Sequence, residues 1–189
     1  MTVQECHRIG LAQLTDYAAG ELSGPEAATL EEHLFSCVHC SARAAEFDAV
    51  VHAIPPAVRS THVGGFVTDA VLNRLEREGV RVRTYVLSPG AVVPCAVWAD
   101  DELMVLRLHA DFGAATEFTL SQRVAGAELV QVTSQVAPSA HGEVIYTMPA
   151  ESIRHLPVVN VEVLLTATDG NDERLVGSYT LVHGGSLQR

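Results

Sequence analysis

Two hydrophobic rhythms divide the chain. As far as residue 54 the apolar positions recur at helical spacing: His7, Leu11, Leu14 and Ala18 share one face, and Gly20 follows as a C-terminal cap. Ser23 and Glu26 then write a capping box with Pro25 in the first turn, and Leu30, His33, Leu34 and Cys37 follow at i, i+3, i+4 and i+7. Phe47, Val50, Val51 and Ile54 predict a third helix, which the pair Pro55-Pro56 should stop. The stretch 55–65, PPAVRSTHVGG, has no periodicity and reads as a linker. One more helix is expected within 66–79, capped by Thr68 and closed by Gly79, with Val71, Leu72 and Leu75 as its apolar stripe and Arg74, Arg77 and Glu78 facing away.

From Arg81 the period falls to two. The runs 81–87, 92–98, 103–109, 117–124, 128–134, 143–148, 158–167 and 174–183 alternate as strands, separated by turn sequences such as Ser88-Pro89-Gly90 and Ala125-Gly126. Seven or eight short strands with no helical pattern between them argue for an antiparallel β-sandwich. The expected organisation is α+β: a helical domain over 1–54, a linker over 55–65, an added helix over 66–79 and a β-sandwich over 80–189.

Chemistry concentrates in the helical part. His33, Cys37 and Cys40 form an H-x3-C-x2-C cluster, three of the four ligands that a tetrahedral zinc site takes. The adjacent Cys6 and His7 are the only Cys or His before His33, so the site closes on one of them if the N-terminal segment folds back. Helices this short bury too little apolar surface to be secure alone, and Zn2+ would act as their staple. A set of two cysteines and two histidines leaves no open coordination position, which excludes a catalytic metal there.

Charge narrows the partners. The formal net charge is -11, and the basic residues are all Arg. Phosphate repels such a surface, so direct nucleic-acid binding is not expected, whereas a basic protein is attracted. No run approaches the roughly 18 consecutive apolar residues of a membrane span. With three of four cysteines near the metal motif and no leader-like pattern at the start, a cytoplasmic protein is expected. No nucleophile elbow, dinucleotide fingerprint or phosphate loop is present, and His109, His141, Glu143 and His183 lack the H-x-H of a cupin metal site, so no enzyme is expected.

His7, Tyr17, the box Gly20-Glu21-Leu22-Ser23, and His33, Cys37 and Cys40 stand in one register, and on these residues the segment 7–40 resembles the zinc-binding anti-sigma domain of bacterial anti-sigma factors. The resemblance implies a protein that binds an extracytoplasmic-function sigma factor and keeps it from RNA polymerase. In that family the bundle wedges between the two helical domains of the sigma factor, with a further helix after a linker; the helix carrying Val71, Leu72 and Leu75 stands at that place. The family's first ligand lies about ten residues before the tyrosine, which favours His7 over Cys6, one helical step of about 100° away. Cys6 then remains an alternative ligand or a spare thiol beside two zinc thiolates, open to oxidation. The contrasting expectation is a zinc-containing interaction scaffold whose partner is not a sigma factor.

Overall fold

The computed structural model describes residues 6, 8–59, 64–115, 117–135, 138–139, 141–169 and 172–187, with the backbone alone at 19, 54–59 and 185–187. The chain divides into two compact units, Met1–Pro56 with Asp69–Gly79, and Ala57–Thr68 with Val80–Arg189.

The first unit is helical. Helix α1 (Leu11–Ala19) ends on Gly20, whose φ of 72° is the left-handed conformation that glycine adopts at little cost; its N–H returns to the Tyr17 carbonyl at 3.0 Å. Four residues later α2 (Gly24–Ser36) opens, with the Glu26 carboxylate accepting from the Ser23 backbone N–H at 3.0 Å and the Ser23 hydroxyl at 2.6 Å. Those two bonds hold the Glu26 carboxyl below its usual range. The Gly20-to-Ser23 box is therefore a stop and a start, turning the chain between two helices. Ile9, Leu14, Leu30 and Cys40 form the buried centre, with Tyr17, Leu22, Leu34 and Phe47 packed around them.

Helix α3 (Val38–Arg59) differs from expectation at both ends. It starts two residues before Cys40, and its helical backbone passes through Pro55-Pro56 into the stretch read as linker. A proline's fixed φ is itself helical; what this pair removes is two N–H donors, to the carbonyls of Val51 and His52, rather than the turn. After residues outside the described set comes α4 (Asp69–Arg77), which lies against α1. Arg74 secures it, donating to the Ala18 carbonyl, to His52 and, at 2.9 Å, to Glu78. Arg77 meets Glu21 at 3.0 Å.

The stripe expected to face a partner is already covered. Val71, Leu72 and Leu75 are 7, 3 and 2 % exposed. A helix with one sharp apolar stripe buries it against whatever its own chain offers first, and a buried stripe has no apolar surface left to give.

Among the described residues, the second unit holds nine strands in two sheets. One orders β1 (Gly65–Val67), β7 (Glu143–Pro149), β4 (Leu103–His109) and β2 (Val82–Leu87); the other orders β3 (Val92–Trp98), β9 (Asp172–Leu187), β8 (Val159–Asp169), β5 (Glu117–Val124) and β6 (Ala127–Ser134). A short helix, α5 (Ala150–Arg154), follows β7. Their inner faces share one core, with Leu106, Leu108 and Tyr146 from the first sheet and Phe118, Leu120, Val163 and Tyr179 from the second. β5 and β6 join through Ala125-Gly126, both at positive φ (51° and 80°), a tight turn whose twist suits the strands.

The sheets are mixed rather than antiparallel throughout. β2 runs parallel to β4, and β3 parallel to β9. The cause is the route: the chain leaves β2 for β3 in the other sheet and returns to β4 in its original direction. A period of two records which face a residue takes, not the direction of its neighbour.

Candidate metal centre

The break between α2 and α3 builds the site. His33 occupies the last turn of α2; Cys37 is the cap, with the helix interrupted by its extended dihedrals (φ -125°, ψ 101°); Cys40 falls in the first turn of α3. Cys37 thus sits at the N-terminus of α3, where the backbone N–H groups of Cys40 and His39 point at its sulfur and hold its thiol below the ordinary value. The Ser41 N–H bonds to the Cys37 carbonyl at 2.9 Å, fixing the turn.

Cys6 lies against this knuckle. The ligand atoms of Cys6, His33, Cys37 and Cys40 all lie within 4.8 Å of one another, and Cys6 Sγ is 3.6 Å from His33 Nε2. Zn–S bonds of about 2.3 Å and Zn–N bonds of about 2.0 Å in a tetrahedron place ligands about 3.5–3.8 Å apart, so the arrangement needs little closing. Cys40 is buried, at 1 % exposure, and its thiol lies 3.7 Å from the Cys6 carbonyl. Burial, reinforced by the neighbouring sulfurs, pushes that thiol up to about 11. A divalent cation removes both penalties, because it neutralises the thiolates and takes the place of the solvent they lack. Three thiolates and one imidazole gathered within 4.8 Å are a zinc set, closed and structural.

His7, the ligand favoured by register, lies outside the described residues. Register favours His7 only where helix runs from residue 7 and rotates Cys6 away. Helix α1 opens only at Leu11, with Gly10 as its cap, and residues before a helix are free of the 100° step. The sulfur that reaches the cluster is that of Cys6, so Cys6 is a member of the site rather than a spare thiol beside it. The signal available was adjacency alone: in a segment not yet helical, either neighbour can turn inward.

In the second unit, Glu143 is engaged by Arg107 at 2.6 Å and by His109 at 3.5 Å, a buried carboxylate neutralised by its own chain. His183 is fully buried on β9, and neither ring nitrogen has a partner among the described residues. No second metal-type cluster occurs among the described residues. Cys95, also buried, has its thiol held high by desolvation and touches Met104 Sδ at 3.7 Å, the setting of a core residue.

A family model described as "Putative zinc-finger" matches residues 11–41, which contain His33, Cys37, Cys40 and the Gly20-to-Ser23 turn. Cys6 lies just before the matched segment. That zinc-finger family is not an enzymatic one. No curated protein matches the chain. Among solved structures, the N-terminal domain of phage TP901-1 ORF48 is similar at 10 % identity and a TM-score of 0.36, over 55 % of this chain and 98 % of that one. A likeness so slight carries no argument. No helix among the described residues is long and apolar enough to cross a membrane.

Proposed function

We propose that the chain is a cytoplasmic anti-sigma factor, binding an extracytoplasmic-function sigma factor through the zinc-held bundle and acting by sequestration rather than catalysis. The observation that carries this reading is a coincidence of three features in one segment: the zinc-finger match over 11–41, the Gly20-to-Ser23 turn, and a closed Cys3His cluster. Zinc-finger domains of this family are typical of anti-sigma factors.

With Val71, Leu72 and Leu75 buried, the contact surface is sought on the bundle. Phe35 is 93 % exposed and Val38 79 %, on either side of Cys37, and Val50 and Leu11 are exposed by 61 and 63 %. Apolar side chains so bare on a small domain favour a partner surface. Glu31 and Glu32 on α2 add negative charge that would speed encounter with a basic DNA-binding protein. The β unit is left an interaction or sensory role.

The test is co-expression of the tagged chain with each extracytoplasmic-function sigma factor of its own genome. One should copurify as a stable complex and lose transcription activity in vitro. Phe35→Asp, at a fully exposed position, should abolish the complex while zinc content stays unchanged. Retention of no sigma factor would discard the reading in favour of a zinc scaffold with another partner.

A further inference from the structure

The β unit contains a cleft that the zinc chemistry does not use. It lies where both sheets end, between the edge strands β1 and β6, with α5 at its base, and encloses about 280 Å3. Most of its wall is apolar, from Val130, Val132, Met148 and Ile153, and no charged side chain lines it among the described residues.

Three polar side chains interrupt that wall: Ser152 of α5 and, one from each sheet, Gln122 and Tyr146. Along β5 the inward positions run Phe118, Leu120, Gln122, and along β7 they run Val144, Tyr146, Met148. Gln122 therefore stands at a core position, 6 % exposed, where alternation would put a hydrophobe. Among the described residues its amide nitrogen reaches only the Met148 thioether, at 3.8 Å, a weak acceptor. Tyr146 is 2 % exposed and its hydroxyl has no hydrogen-bond partner among the described residues. Burial raises that phenol, so it stays protonated as a donor. Gly64 keeps the approach open: a Cβ there would lie 3.0 Å from Tyr146 Oη.

We propose that this cleft binds a neutral, mainly apolar small molecule bearing a carbonyl or hydroxyl group, which Gln122 and Tyr146 read by hydrogen bonds. Interior polar groups are retained where something pairs with them, and these two converge from opposite sheets on one concave apolar space. A charged ligand is disfavoured, because the wall offers no counter-ion. The inference stands apart from the anti-sigma reading, since it concerns the β unit only.

The test uses zinc-loaded full-length protein and the neutral ketone 6-propionyl-2-(dimethylamino)naphthalene, whose emission moves to the blue on desolvation. A saturable blue shift is expected. Tyr146→Phe, nearly isosteric, and Gln122→Leu should each weaken it about two- to tenfold, the effect of one lost hydrogen bond. Val130→Trp, at a half-exposed position on β6, should fill the cleft and abolish the shift, with the melting temperature reported for every variant. The proposal is overturned if wild-type protein gives no saturable shift, if the shift survives Val130→Trp at equal affinity, or if Tyr146→Phe binds as wild type does.

Discussion

The two units are held together by different means. Around the metal cluster the bundle buries Ile9, Leu14, Leu30 and Cys40, one of them itself a ligand, and elsewhere in the same unit the α4 stripe Val71, Leu72 and Leu75. The β unit, among the described residues, buries a cluster of 21 side chains between its sheets. Short helices bury their stripes on few neighbours, whereas two facing sheets bury every second residue of most strands. Covalent-strength coordination therefore replaces hydrophobic area in the bundle, and the units should respond to opposite insults.

The largest expected effect comes from taking the metal away. Cys40→Ser removes a buried thiolate and should forfeit much of the roughly 10–16 kcal/mol that structural zinc contributes at neutral pH. Helical circular dichroism and zinc content should fall together, while the strand signal and its cooperative melt persist. The converse is Leu165→Ala in the β unit, fully buried in the inter-sheet core. It should cost about 2–5 kcal/mol of β-unit stability and leave zinc content unchanged. If either substitution melts both units, the division of labour is wrong.

Acidity should also separate the two. Zinc takes thiolates, and the Cys40 thiol, with its value near 11, keeps its proton throughout the neutral range until metal displaces it. From this thiol alone, zinc affinity should rise about tenfold per pH unit between about pH 6 and 8, and the bundle should lose zinc as pH falls. Competition with a chromophoric chelator across that range measures the slope; an affinity independent of pH would exclude a Cys40 ligand. The smallest effect is expected at Ser23→Ala, an exposed cap whose loss should cost about 1 kcal/mol of bundle stability and no zinc.

Local chemistry was readable in the sequence where a residue type admits few uses. Gly20, Ser23 and Glu26 foretold a turn between two helices, and His33, Cys37 and Cys40 foretold a metal knuckle. The strands from Val82 to Leu187 lie close to the runs read from the sequence, although β4 and β7 are buried along almost their whole length. What escaped depends on facts that periodicity does not carry. Alternation gives no strand direction, so the parallel pairs β2 with β4 and β3 with β9 were missed. β1 and α5 are too short to show a period. The apolar stripe of α4 looks the same whether it meets its own chain or a partner. Cys6 and His7 differ by one position, and only the place where α1 begins removes the case against Cys6.

That last point is the most direct to measure. Zinc K-edge X-ray absorption on the purified protein reports the ligand set without depending on any variant's folding. Three sulfurs at about 2.3 Å and one nitrogen at about 2.0 Å are expected, from Cys6, Cys37, Cys40 and His33. Two sulfurs and two nitrogens would contradict this account, placing His7 in the site and leaving Cys6 outside it.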